Sequence, residues 1–172
     1  MINITNIDTD LGLMLVAATD KGICLLKFTD SKHLDSDLEN LAKTLNASLV
    51  EADNPLFQKL KTQLDEYFKV QRFKFDIPLD LHGTDFQKQV WQRLLQITYG
   101  KTISYAEQAK ILGKESAVRA VANANGRNKI YILIPCHRVI GSNGKLTGYG
   151  GGVWRKKKLL QLEQPNALKA WK

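Results

Sequence analysis

Apolar positions near the start of the chain fall into two short runs, Leu11 to Ala18 and Ile23 to Phe28, separated by Thr19-Asp20-Lys21-Gly22. Runs of this length joined by turn residues predict a β-hairpin. The period then changes: Leu34, Leu38, Leu41 and Leu45 mark one stripe of a helix. A second helix is predicted from Asn54-Pro55, a capping residue followed by proline in the first turn, with Leu56, Phe57, Leu60, Leu64, Tyr67 and Phe68 turned inward. Phe73, Phe75 and Ile77 alternate with Arg72, Lys74 and Asp76, the pattern of a half-buried strand. The stretch from Pro78 to Gly83 reads as a connection between domains.

Beyond it the pattern is mostly helical. Thr84-Asp85-Phe86-Gln87 is a capping box ahead of a helix that buries Phe86, Val90, Trp91, Leu94 and Leu95. A second box, Ser104-Tyr105-Ala106-Glu107, opens a short helix that should stop at Gly113, and a third helix is predicted from about Ser116 to Asn125. Two short helices joined through a glycine turn make a helix-turn-helix. Ile130 to Ile134 is a continuous apolar run that reads as a buried strand. Asn143-Gly144, between Arg138-Val139-Ile140 and Lys145-Leu146-Thr147, signals a hairpin. A last helix is expected from Val153 to Glu163, with Arg155 to Lys158 on its exposed side. The fold class is thus α+β, a small α/β domain over residues 1–80 followed by a winged-helix domain over residues 84–172.

Charge sharpens this division. Residues 1–80 hold 9 Lys/Arg and 13 Asp/Glu, a net of −4, whereas residues 81–172 hold 16 and 4, a net of +12. The +8 of the whole chain therefore belongs to its second half, which suits a polyanion such as DNA, although a solubilising basic surface would carry the same charge. At 44% hydrophobic and 24% charged the composition is that of a globular protein. Met1 to Asn6 has neither the basic start nor the apolar stretch of a signal peptide, and no run approaches the length of a membrane span. A cytoplasmic protein with no membrane partner is expected. In that setting Cys24 and Cys136 should be free thiols, and with three scattered histidines no metal site is expected.

The predicted recognition helix is thin. Val118, Val121 and Ala122 face inward, and Ser116, Arg119 and Asn123 face out between Ala117, Ala120 and Ala124. One protruding Arg on a thin helix suits entry into a minor groove and displacement of a base. Alanines that merely favour the helix, with Arg119 a solvated charge, explain the same spacing. Cys136 lies where the chain leaves a buried run through Pro135, with His137 and Arg138 next to it. A thiol needs such a base or cation to become a nucleophile, yet an isolated Cys-His pair is commonly structural. Cys24, among Ile23, Leu25 and Leu26, reads as a small core residue.

Ile134-Pro135-Cys136-His137-Arg138-Val139-Ile140 resembles the active-site motif of the O6-alkylguanine-DNA alkyltransferases, the methylated-DNA–protein-cysteine methyltransferase family. The resemblance extends, in order and spacing, through Phe86 to Trp91, Ile103-Ser104-Tyr105, Arg119-Ala120-Val121 and Gly148-Tyr149 to Glu163. It implies a ribonuclease H-like first domain and single-turnover transfer of an alkyl group from O6-alkylguanine, or O4-methylthymine, in duplex DNA to Cys136, with no cofactor. It further implies His137 as base, Glu163 as its orienting group and Asn128 as a brace. Tyr105, Arg119 and Ser142 would handle DNA and the flipped nucleotide, and Val139, Tyr149 and Gly150 would line the pocket for the alkylated base. A monomer, cooperative or not along DNA, is the implied form. Two other readings fit parts of the sequence: a winged-helix protein that binds alkylated DNA without repairing it, and a Cys-His-Glu hydrolase.

Overall fold

A computed structural model describes residues 1–170 and divides them into two units, Met1–His82 and the remainder from Gly83. In the first, β1 (Ile2–Thr9), β2 (Gly12–Ala18), β3 (Ile23–Phe28) and β4 (Leu49–Glu51) form one sheet in the order β3-β2-β1-β4. The expected hairpin is β2 and β3, antiparallel with a register shift at Ala17/Ala18. The chain reaches β4, parallel to β1, through α1 (Leu34–Thr44), as a parallel pair requires a crossover. Helix α2 (Pro55–Phe68) is capped by Asn54, whose side-chain oxygen accepts from Leu56 N at 2.9 Å. Cys24 is buried in β3 against Ile2, Ala17, Leu25 and Leu41.

The strand expected over residues 72–77 does not form. Pro78 lacks an N–H, and pairing with β3 is confined to one bridge, Ile23 with Leu79, made by Ile23 N to Pro78 O and Asp80 N to Ile23 O. Phe73 is left exposed.

In the second unit α3 (Asp85–Leu94) and α4 (Tyr105–Ile111) both start in capping boxes, Thr84 with Gln87 and Ser104 with Glu107. The chain turns at Gly113, whose φ of +69° suits a residue without a Cβ, and passes through a 3-10 turn at Glu115–Ala117 into α5 (Val118–Gly126). Gln108 of α4 and Asn125 of α5 exchange two buried amide hydrogen bonds at 2.8 and 2.7 Å, and Trp91 Nε1 of α3 donates to Ala124 O at 2.9 Å. Ala124 is therefore core and does not flank the exposed face, while Leu95 is exposed and Ile97 packs in its stead.

Three further expectations are corrected. Residues 130–134 are buried but form turns, with Ile132 at φ +71°, a conformation that costs a β-branched residue about 1–3 kcal/mol. Beyond a bridge at Ile130 the segment has no ladder among the described residues, and the side chain of Asn128 bonds Ile130 N and Ile134 O, as described below. The short strand β6 (Val139–Ile140) pairs in parallel with β5 (Ile103–Ser104) and not with residues 145–147. The Asn143-Gly144 turn does close, through Gly141 N to Lys145 O, but Thr147 O is then taken by side chains and no second strand follows. Finally, α6 (Val153–Glu163) buries Arg155 and Lys156. Lys156, Leu160 and Glu163 are spaced i, i+4, i+7, so all three share the inner face.

Candidate functional site

Asn128 and Cys136 are brought together by the turns between them. The Asn128 side chain is fully buried; its oxygen accepts from Ile130 N at 2.9 Å, and its amide nitrogen donates to Ile134 O at 2.9 Å and to Cys136 Sγ at 3.2 Å. One amide thus holds both ends of the strained turn and points a donor at the sulfur, which favours a thiolate over a thiol. Cys136 opens a 3-10 turn through Arg138 and is 8% exposed, close to the surface but screened from bulk water. Asn128→Ala should leave the buried Ile130 N–H without its partner, at about 1–3 kcal/mol, while Ile134 O keeps its bond from Cys136 N, and thermal unfolding should show the loss.

His137 and Glu163 meet directly. His137 is 0% exposed, and its Nε2 lies 2.7 Å from Glu163 Oε2. Burial pushes the Glu163 carboxyl upward, but His137 and then Arg138 overcome that and hold it well below the usual carboxylate range. A carboxylate can only accept, so Nε2 carries the imidazole proton and Nδ1 keeps its lone pair. Nδ1 has no hydrogen-bond partner among the described residues. Burial lowers the His137 pKa against the opposing pull of Glu163, leaving a neutral imidazole able to take a proton.

Arg138 completes this network. Its Nε donates to Glu163 Oε1 at 2.8 Å, its Nη2 to Glu163 Oε2 at 3.1 Å and its Nη1 to Ile97 O at 2.6 Å. The fork fixes the carboxylate plane that the imidazole meets. Sequence spacing offers Arg138 as a cationic neighbour of the thiol; the structure makes it the partner of Glu163.

Lys156 was hidden in a run of four basic residues. It is 0% exposed, and its Nζ donates to Thr147 O at 2.9 Å, Tyr105 Oη at 3.3 Å and Gly148 O at 3.4 Å. Burial lowers its pKa to about 8, against the opposing influence of Cys136. At neutral pH it is a cation near the sulfur. Because its folded pKa lies below the ordinary 10.5, its burial costs stability below about pH 8, and the cost lifts as pH rises from there towards 10.5.

Tyr105, the first residue of α4, donates to Thr147 O at 2.9 Å, and its hydroxyl pKa is raised by burial, with Cys136 contributing. Tyr149 is buried and also lies within the electrostatic reach of Cys136; burial first and Cys136 second push its pKa well above 10.0. The Tyr149 hydroxyl has no hydrogen-bond partner among the described residues. Val139 is fully buried beside the motif in β6, and Gly150 is half-buried. Arg119 and Ser142 lie outside this buried network, exposed on α5 and on the 141–144 turn. Among the described residues no three His, Cys, Asp or Glu side chains cluster to hold a metal ion. A cavity of ≈ 330 Å³ in the same unit, lined by Leu94, Ile97, Ile103 and Ile111 with Arg93 and Lys101, contains none of the Cys136 site residues.

Known proteins match the chain in both sequence and fold. Residues 2–81 match the family model for the ribonuclease-like domain of 6-O-methylguanine DNA methyltransferase, and residues 85–165 match the model for its DNA binding domain. The methylated-DNA–protein-cysteine methyltransferase of Mycobacterium leprae is 42% identical over 168 residues, 98% of this chain and 96% of the relative. That of Mycobacterium bovis is 54% identical over 115 residues, 67% of this chain and 70% of the relative. The crystal structure of the Mycobacterium tuberculosis OGT in complex with DNA superposes with a TM-score of 0.83 at 40% identity, covering 98% of this chain and 96% of that one.

Proposed function

The chain belongs to the methylated-DNA–protein-cysteine methyltransferase family, and we propose that Cys136 is the residue that receives the alkyl group, once per molecule. The protein repairs alkylated DNA, and DNA is its partner. The observation that carries the assignment of Cys136 is its sulfur, 3.2 Å from the Asn128 amide donor and next in sequence to a neutral histidine anchored on an ionised glutamate.

His137, through its Nδ1 lone pair, accepts the thiol proton, and Glu163 fixes the tautomer that leaves that lone pair free. The Asn128 donor and the Lys156 cation stabilise the thiolate. The sulfur attacks the alkyl carbon of an O6-alkylguanine turned out of the stack; a C–S bond forms as the C–O6 bond breaks. The electron pair leaves on O6 of guanine, which accepts hydrogen bonds from the Tyr149 hydroxyl and the Gly150 N–H, and the thiol proton taken up by His137 restores the neutral base. Tyr149 suits this role because its hydroxyl is buried and keeps its proton at neutral pH. The thioether is not hydrolysed, so the site is not regenerated.

Opening the duplex costs a few kcal/mol, which the protein must return at the position vacated by the base. Arg119, exposed on a helix face otherwise lined by Ala120 and Asn123, occupies that position, with Tyr105 and Ser142 against the backbone. The Val139 carbonyl accepts from the guanine amino group. O4-methylthymine fits the same displacement chemistry. The protein acts as a cytoplasmic monomer in this reading.

Incubation with duplex DNA containing O6-methylguanine should add one CH2 to the protein mass, on the peptide bearing Cys136. Tight binding without a mass change would instead make the chain a lesion-binding module, and multiple turnover without modification a hydrolase. Arg119→Ala should slow transfer from the duplex by roughly ten-fold or more while leaving transfer from a single-stranded oligonucleotide nearly unchanged, because only the duplex has a vacancy to fill. Equal losses on both would remove Arg119 from that role.

A further inference from the structure

The turn between α3 and β5 has two faces with different tasks. On one, it holds the Arg138–Glu163 pair. Ile97 O accepts from Arg138 Nη1 at 2.6 Å, the Arg138 guanidinium lies 5.8 Å from the centre of the Tyr99 ring, and the Gly100 N–H donates to Glu163 Oε1 at 3.5 Å. The end of α6 is tied to the same turn, by Tyr99 Oη to Leu162 O at 3.4 Å and by Gln164 Nε2 to Gly100 O at 2.5 Å. On the other face, Ile97, Thr98 and Lys101 line the cavity of ≈ 330 Å³. Ile103 also lines it, and in β5 it pairs with Val139 of β6, the residue that follows Arg138.

The chemistry of the cavity is that of an amphipathic anion. Leu94, Ile97, Ile103 and Ile111 make its walls apolar, and the Gln108 amide is already committed at both ends to Asn125. Arg93 and Lys101 are exposed at its edge, Arg93 donating to Ile111 O at 3.4 Å, and no Asp or Glu is among the described residues that line it. Apolar walls with a cationic edge take an apolar body that carries one negative group. A water's share of liquid volume is about 30 Å³, so the space holds on the order of ten non-hydrogen atoms. Ile111, 51% exposed, is an apolar edge that such an occupant would cover. A phosphate of DNA would meet the two cations and leave the apolar walls empty.

We infer that this cavity binds a small amphipathic carboxylate and that its occupant is felt at Glu163 through the two-faced turn. An occupant packed on Ile97 restricts the backbone whose carbonyl holds Arg138, and Arg138 sets the plane of the carboxylate that orients His137. Occupancy therefore favours the arrangement of the network that leaves His137 Nδ1 free, and transfer to Cys136 becomes faster. The effect on transfer rests on the acceptor role proposed for Cys136, whereas binding in the cavity does not.

The experiment titrates octanoate into the full chain and follows the Gly100 N–H and the Arg138 Nε–H by NMR. Saturable shifts of both are expected, with a Kd in the millimolar range or below, the scale for about ten non-hydrogen atoms. Octan-1-ol, which has the body without the charge, should bind about ten-fold more weakly, and inorganic phosphate should not displace octanoate. Lys101→Gln should weaken octanoate by about three-fold or more, and Ile111→Asp, which sets a carboxylate at the edge, by about ten-fold or more. Saturating octanoate should raise the single-turnover rate from methylated duplex by about five-fold. Absence of saturable shifts at the two reporters, equal affinity for octanoate and octan-1-ol, or unchanged affinity in both variants would overturn the site. A transfer rate unchanged or lowered at saturation would overturn its link to Glu163. Wild-type protein that shows both shifts and transfers no alkyl group would instead remove the acceptor role of Cys136 and leave the binding site standing.

Discussion

Cys136→Ser should abolish covalent capture of the alkyl group while leaving the fold in place. A serine hydroxyl has essentially no alkoxide at neutral pH, and neither a neutral imidazole nor a nearby ammonium supplies enough driving force to make one, whereas a thiol needs only a modest push. The rate should fall by at least about three orders of magnitude, the scale on which loss of a catalytic nucleophile is felt. Stability should change by about 1 kcal/mol, because the smaller oxygen can still accept from Asn128. Intact-mass spectrometry after incubation with methylated duplex, together with a thermal melt, separates the two effects. The only other thiol, Cys24, is 1% exposed within β3. A variant that still gains mass, with the alkyl group on Cys24, would move the nucleophile to the other unit.

The sequence was most informative where a local rule sufficed. Both capping boxes and the Asn54 cap form as their residue types demand, because each is complete within four residues. Cys136, His137 and Glu163 enter as candidates through resemblance alone, and the contact of His137 with Glu163 spans 26 residues, which no local rule supplies. The failures have one physical origin. An apolar run says that a segment is buried and not what satisfies its backbone, so residues 130–134 read as a strand although the Asn128 side chain and local turns replace the ladder. Residues 72–77 show the same limit at the sheet edge, where Pro78 ends the pairing after one bridge. A charge run misleads in the opposite direction: Arg155 to Lys158 reads as a solvated face, although the spacing of Lys156 from Leu160 and Glu163 places it inside. The i, i+4, i+7 signal was present, and the expectation that lysines are exposed obscured it.

Glu163→Gln should lose both stability and transfer rate, and the pH dependence of each tells why. The substitution keeps the shape of the side chain and removes its charge, leaving the buried Arg138 guanidinium without an anion; breaking one side of such a pair costs about 3–5 kcal/mol. The amide can also present its NH2 to His137 Nε2, which would reverse the tautomer and take the lone pair from Nδ1, so transfer should slow by about two orders of magnitude or more. In the wild type the folded pKa of Glu163 is depressed below 4.5, so its stabilising contribution is present above about pH 4.5 and is lost as pH falls through the folded value. His137 is depressed from 6.5, so the fold also loses stability as pH drops below about 6.5, where the unfolded chain binds a proton that the folded one resists. Acidification of the wild type should therefore erode stability in two stages. Glu163→Gln should start lower at neutral pH and show only the first stage, since removing the carboxylate deletes the second and leaves the burial that depresses His137. Urea unfolding midpoints between neutral and acid pH measure both. A variant as stable as the wild type at neutral pH, with the same acid profile, would mean that Glu163 is not the anion holding Arg138 and His137, and the route for the thiol proton would have to be drawn through another group.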